Sequence, residues 1–321
     1  MLTPKFMSLK FGLKPMIRAS LRARFARSVL DRRPALIVLL YHSIDPNPPQ
    51  CLQTLNIVTH PLAFENHMRW IRKNFELVAL SEGIRRLRTG GLDRTCVAVT
   101  FDDGLQSVAE HAIPILTQHG IPATLFINHA TLIGNRCWIY DVAQLESEGK
   151  EEVLQAVFGA SDDGSFTSYL RHRAPAEVVG RRTELAGIFT SHCSPSVAYI
   201  APQELTELLE DPLFELGNHS LDHPRFSRIN AAEQRRQIVE NQTALASFPS
   251  YQRSFALPFG RPTDWNLDSV RASAEAGHEF ISACGGINFR KTAGVDIRRV
   301  SCDGVGVGQL MDRIIQQGIG F

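Results

Sequence analysis

Val97-Ala98-Val99-Thr100-Phe101-Asp102-Asp103-Gly104 is a short apolar run that ends in two adjacent carboxylates and a glycine. An apolar run of this length, closed by a turn residue, predicts a strand buried on both faces with the acids at its tip. Neighbouring carboxylates repel, so the pair costs energy unless a cation or a proton lies between them. The tip is therefore either a solvated Asp-Asp-Gly turn or a place for a metal and an acid–base group.

More than a hundred residues later, Gly217-Asn218-His219-Ser220-Leu221-Asp222-His223-Pro224 follows a second short apolar stretch. His219 and His223 are four apart, so in a helical turn both imidazoles share one face and can close on one ion. With one carboxylate they make a two-His, one-carboxylate set, which leaves coordination positions for water and substrate. Chance pairing of surface histidines is the alternative for H-x-x-x-H alone; the diacid strand end weighs against it.

Outward from the diacid strand the chain alternates between the two periods. Ala35–Tyr41 is an unbroken apolar strand that delivers Tyr41 and His42 to its end, and Ala123–Asn128 reads the same way. Helical spacing predicts helices over Pro61–Asn74 and Ser81–Thr89, separated by a strand at Phe75–Leu80. Leu105–His119 reads as a helix kinked at Pro114 and stopped by Gly120. From residue 131 to 203 the pattern loosens into an insertion, with helices near Val142–Phe158 and Pro175–Phe189 and a polar loop at Ser161–Thr167. Trp138 and Tyr140, inside it, either pack against the body of the domain or stack on a sugar ring. The alternation then resumes: a helix at Glu204–Glu210, a long helix from Ala231 to Ser247, a strand at Ser254–Leu257, a helix near Trp265–Ala276, and strands near Glu279–Ala283 and Ile297–Val300. Strand–helix alternation predicts a parallel α/β sheet or barrel with its chemistry at the carboxyl ends of the strands.

Charge divides the chain in two. Residues 1–34 carry nine Lys/Arg against Asp31, a net of +8, so the rest carries −7 within the overall +1. Ile17, Leu21, Phe25 and Val29 recur every four residues between arginines, so residues 16–30 predict a basic amphipathic helix suited to an anionic membrane surface. Packing on the catalytic domain, a disordered leader and an organelle transit peptide are the other readings. No uninterrupted apolar stretch matches a secretory signal or a bilayer span. The six cysteines show no C-x-x-C pairing, which favours buried thiols in a reducing, cytoplasmic setting, with residues 1–34 as a peripheral contact to the membrane's inner face. The basic head lacks any recognisable nucleic-acid-binding fold or aromatic platform, so no nucleic acid is expected. The chain thus divides into a basic segment, 1–34, and one α/β domain, 35–321, with a helical insertion at about 131–203.

Thr100-Phe101-Asp102-Asp103-Gly104, His219-Ser220-Leu221-Asp222-His223 and Phe255-Ala256-Leu257-Pro258-Phe259-Gly260 resemble, in order and spacing, the first three motifs of the polysaccharide deacetylase family, the NodB-homology or carbohydrate esterase family 4 group. The similarity runs from about Leu36 to about Val300. The resemblance implies a distorted (β/α) barrel of about seven parallel strands. It also implies that Asp103, His219 and His223 hold one divalent metal ion, with zinc the default and nickel, cobalt or iron compatible. Asp102 is then the general base, and a backbone N–H near Phe259, shaped by Pro258 and Gly260, completes the oxyanion site.

Two departures from the family pattern stand out. The family often carries an arginine where this chain has Ala256; Arg299 or Arg298 is the candidate to orient the base instead. The late Leu-x-His motif that supplies the general acid is missing. His42 is the first candidate in its place and His278 the second.

The implied reaction is metal-dependent hydrolysis of the N-acetyl amide of an amino sugar, in a cell-envelope or lipid-linked saccharide pathway, with an N-acylated saccharide as substrate. A deformylase, or a hydrolase of a non-sugar amide or ester on the same scaffold, is the alternative. A carbohydrate-binding protein without catalysis is the second.

Overall fold

The apolar runs at the start of the domain lie side by side, paired in parallel from Leu36 opposite Cys96 to Tyr41 opposite Phe101. They belong to a computed structural model that describes residues 30, 32–134, 136–159, 181–193, 196–290 and 295–319. The strands are β1 (Ala35–Tyr41), β2 (Ser43–Ile44), β3 (Val58–Thr59), β4 (Glu76–Leu77), β5 (Cys96–Phe101), β6 (Ala123–Ile127), β7 (Phe214–Asn218), β8 (Tyr251–Ala256), β9 (Glu279–Ser282), β10 (Asn288–Phe289) and β11 (Asp296–Ser301). Around the barrel they run β1-β5-β6-β7-β8-β9-β11 and back to β1, so seven parallel strands close on themselves. Closure removes the free sheet edges that would otherwise have to be covered. β4 extends the sheet in parallel beside β5, and β10 pairs antiparallel with the first residues of β1.

Side chains alternate between the two faces of each strand. Leu36, Val38, Ala98, Phe126, Ala256, Ile281 and Ile297 form one buried cluster, joined by Leu80, Ile84 and Leu87 of the helix Leu80–Thr89. Ile37, Leu39, Val97, Val99 and Leu125 face the other way and pack with Phe64, Met68 and Ile71 of the helix Pro61–Asn74. Both faces are apolar, which is why these strands read as continuous hydrophobic runs.

Several element bounds differ from those expected. The strand at Phe75–Leu80 shrinks to Glu76–Leu77. The helix before Gly120 widens into a π turn at Val108–Ala112 and continues as Ile113–His119. Pro114 is the reason: its ring cannot tolerate a regular turn carbonyl four residues back, and the wider turn accommodates it. The single helix expected over Val142–Phe158 is two, Trp138–Ser147 and Glu151–Phe158, parted at Gly149 with φ 69°. The helix near Trp265–Ala276 starts at Leu267, because Asn266 and Ser269 form a reciprocal capping box. The basic helix expected at residues 16–30 lies outside the described residues except for Leu30, as do the loop Ser161–Thr167 and the start of the helix expected at Pro175–Phe189. Among the described residues no helix is long and apolar enough to cross a membrane.

Candidate active site

β5 delivers the diacid pair to the carboxyl end of the barrel. The Asp102 amide donates to the Tyr41 carbonyl at 3.0 Å, continuing the β1–β5 ladder by one residue. The chain then turns sharply, with φ 71° at Asp103 and 66° at Gly104. Glycine suits this position because its φ of 66° strains a residue that carries a Cβ. Both carboxylates are buried, so each needs a partner.

Asp102 finds Arg299. The guanidinium, fully buried on β11, donates from Nη1 to Oδ1 at 2.7 Å and from Nη2 to Oδ2 at 2.8 Å, a bidentate pair. Strand alternation decides between the two candidate arginines: Arg298, one residue earlier, turns an exposed side chain to the opposite face. The Ala256 position contributes its backbone instead, accepting a hydrogen bond from His219 Nδ1 at 2.8 Å.

His219 and His223 meet, though not through a helical turn as their spacing suggests. They lie in the loop after β7, where Ser220 and His223 have φ of 66° and 56°. Asn218 and Ser220 hold that loop: the Ser220 amide donates to Asn218 Oδ1, and the His223 amide to Ser220 Oγ. The result brings one ligand atom each from Asp103, His219 and His223 within 4.8 Å of one another. His219 Nε2 lies 3.3 Å and His223 Nε2 3.5 Å from Asp103 Oδ1.

These three residues fit a divalent cation. A carbonyl only accepts, so the bond to Ala256 places the proton of neutral His219 on Nδ1 and leaves the Nε2 lone pair facing Asp103. Asp103 Oδ1 is buried without a hydrogen-bond partner. Lone pairs converging on one buried point are stable when a cation lies between them. Tyr140, from the insertion, donates its hydroxyl to the other oxygen, Oδ2. This contact leaves Oδ1 as the atom facing the imidazoles.

His42 and Asp303 form a second pair across the mouth. His42 Nδ1 lies 2.7 Å from Asp303 Oδ2, and the His42 amide donates to Oδ1 at 3.1 Å. His278, the other candidate acid, lies at the opposite end of the barrel, where its Nε2 is 2.6 Å from the hydroxyl of Tyr251 at the start of β8. That position removes it from the site.

Pro258, Phe259 and Gly260 form the tight loop after β8, with φ 60° at Phe259 and 71° at Gly260. A Cβ at Gly260 would lie 2.5 Å from the Ala283 backbone nitrogen. The Phe259 ring stands edge-on to His223 at 4.7 Å and to Trp138 at 6.3 Å. Trp138 and Tyr140 are both buried, which fits packing and removes them as exposed platforms for a sugar ring. Trp138 Nε1 donates to the His223 carbonyl at 3.2 Å.

Five non-glycine described residues have positive φ: Asn56, Asp103, Ser220, His223 and Phe259. All but Ser220 line a single cleft that also takes in His42, Asp102, His219, Arg299 and Asp303. Backbone strain concentrates where side chains must be aimed rather than merely packed.

Burial would raise the Asp102 carboxyl, but Arg299 and the nearby imidazoles outweigh it and hold the group below the usual carboxylate range. Burial pushes the Asp103 carboxyl up as well, but His223 and His219 outweigh it and hold the group below the usual carboxylate range. Burial dominates at His223 and brings it down to about 4. At His42 burial also pulls downward, yet Asp303, with Asp103 and Asp102 behind it, lifts the imidazole to about 9. At neutral pH the cleft thus pairs an ionised acid that can accept a proton with a protonated imidazole that can give one.

Asp303 was not singled out from the sequence, and Tyr140 was named there only for packing or for stacking on a sugar ring. Asp303-Gly304, just after β11, repeats the acid-glycine pattern of Asp103-Gly104 and was the available signal. No local pattern marked Tyr140 as the partner of Asp103, because that contact spans 37 residues.

Residues 89–281, more than half of the chain, match the family model for polysaccharide deacetylase. The chain therefore belongs to the polysaccharide deacetylase family, as its motifs led us to expect. Among individual relatives it is 32% identical over 102 residues to YxkH of Bacillus subtilis, a protein named as a polysaccharide deacetylase; the match covers 31% of this chain and 34% of YxkH. The fold matches the Streptococcus pyogenes deacetylase PplD, solved with acetate, at a TM-score of 0.60 and 15% identity, covering 89% of this chain and 98% of the other. It matches IcaB from Ammonifex degensii at a TM-score of 0.58 and 16% identity, covering 87% and 97%.

Proposed function

We propose that this chain hydrolyses the N-acetyl amide of an amino sugar in a saccharide of the cell envelope, using a divalent cation held by Asp103, His219 and His223. The observation that carries the reading is the convergence, at one end of the barrel, of that buried ligand set with an arginine-clamped carboxylate and a carboxylate-clamped imidazole. Zinc is the first choice, because two imidazoles and one carboxylate are its usual catalytic donors. When bound, the cation supplies a Lewis acid for the amide carbonyl and a water acidified to near neutrality.

The chain's own residues supply the rest. Asp102 accepts a proton from the attacking water; the guanidinium of Arg299 fixes both of its oxygens, so the carboxylate cannot rotate away. Protonated His42 gives its proton to the departing amine, which could not leave as an anion. Asp303 fixes the His42 ring and keeps it charged. Tyr140 leaves Asp103 one oxygen for the ion. The strained loop at Phe259 walls the site beside His223.

The reading is tested by acetate release from N-acetylated oligosaccharides by the metal-loaded protein. Two further outcomes follow from the geometry. Asp303→Asn should bring the basic limb of turnover from about 9 toward the unperturbed imidazole value of about 6.5. A limb that stays in place would remove His42 as the acid. Tyr140→Phe should weaken metal retention roughly 10–100-fold, as loss of a bond to a ligand does, read by competition with a chelator. Unchanged retention would leave Tyr140 a packing residue.

A further inference from the structure

We propose that the cleft selects an acidic N-acyl amino sugar, one bearing a phosphate or carboxylate, and that Arg261 and Arg313 bind the acidic group. The inference rests on the amide-hydrolase reading of the same cleft and names its substrate class.

The charged groups lining the cleft are three carboxylates, Asp102, Asp103 and Asp303, and three guanidiniums, Arg261, Arg299 and Arg313. Every carboxylate is committed: Asp102 to Arg299, Asp303 to His42, and Asp103 to Tyr140 and the two imidazoles. Among the described residues, Arg299 alone of these guanidiniums has a carboxylate partner. Arg313 donates from Nη1 to the backbone carbonyls of Ser301 at 2.8 Å and Asp303 at 3.4 Å, contacts that fix the side chain without neutralising it. Arg261 is exposed, and its loop is held by other means. Its amide donates to Asp264 Oδ2 at 2.8 Å, while Asp264 Oδ1 is 2.8 Å from Arg225 Nε.

The two arginines share one sector of the mouth. Arg261 follows β8 and Arg313 reaches back to the end of β11, and these strands flank β9 in the barrel. Protonated His42 adds positive charge on the same side. Hydrolysis of a neutral amide needs neither guanidinium. Two guanidiniums on the wall of one cleft, neither with a carboxylate partner among the described residues, focus a field that recruits an anionic ligand, and guanidinium geometry suits phosphate and carboxylate oxygens.

Three probes separate the possibilities: N-acetylglucosamine 1-phosphate, N-acetylmuramic acid and neutral triacetylchitotriose. In the Arg261→Gln/Arg313→Gln protein we expect kcat/KM for an acidic probe to fall by about tenfold or more per guanidinium, with the neutral probe unaffected. Whether the phosphate or the carboxylate probe suffers the loss assigns the acidic group. Equal losses on neutral and acidic probes, or none on either acidic probe, overturn the proposal. Arg261→Gln alone, at an exposed position with no ion pair to lose, supplies a folded protein if the double variant is unstable. Calorimetric binding of N-acetylglucosamine 1-phosphate, with chelator present so that no cation binds the phosphate, tests the arginines without turnover. Arginine-dependent binding without acetate release from any probe would retain the acidic subsite and contradict the deacetylase reading alone.

Discussion

Asp102→Asn should lower turnover by about 10²–10⁴-fold, the usual contribution of a positioned general base, while metal content stays at the wild-type level. The separation arises because Asp102 and Asp103 divide their work by partner. Asp102 spends both oxygens on Arg299, whereas Asp103 offers Oδ1 to His219 and His223. An amide at position 102 keeps the size of the side chain but cannot take the proton. His223→Ala, by contrast, should lose both metal and turnover. If Asp102→Asn retains activity, the base lies elsewhere.

Arg299→Leu should cost stability as well as activity. Removing one partner of a buried ion pair leaves an uncompensated charge, at about 3–5 kcal/mol, and here the guanidinium is fully buried and the carboxylate nearly so. The pH dependence has a definite sign. Asp102 has its folded pKa depressed, chiefly by Arg299 acting against burial, so the pair stabilises the fold above the unfolded carboxylate value of about 3.9. That contribution is lost as pH falls through the lower folded value. The deficit of Arg299→Leu, measured by denaturant unfolding, should therefore be largest near neutral pH and shrink on acidification. A deficit independent of pH would mean that packing, including the stacking of Arg299 over Phe126 at 5.4 Å, is what the arginine contributes.

The barrel was legible because its strands are buried on both faces, and double burial writes itself into the chain as the uninterrupted runs Ala35–Tyr41 and Cys96–Phe101. The insertion was hard to read for a different reason: Trp138–Ser147 buries seven of its ten residues and so shows no single apolar face, whereas Glu151–Phe158 buries only Leu154 and Phe158. The metal ligands could be read because they sit within short motifs. Their geometry could not, since the His219/His223 loop depends on positive φ at Ser220 and His223 rather than on helical periodicity. Arg299 could be named but not separated from Arg298 until the register of β11 against β1, Arg299 opposite Val38, fixed which side chain turns inward. Asp303 and Tyr140 act through contacts 261 and 37 residues away in sequence, which no local pattern reports.

The most direct test of the central claim is acetate release from N-acetylated sugars by the purified protein, assayed with and without a chelator while bound metal is counted by mass spectrometry. The account predicts one equivalent of divalent metal, with acetate release that stops on chelation and returns when the metal is restored. Acetate release that persists in metal-free protein, or a protein that takes up no metal on reconstitution, would contradict it.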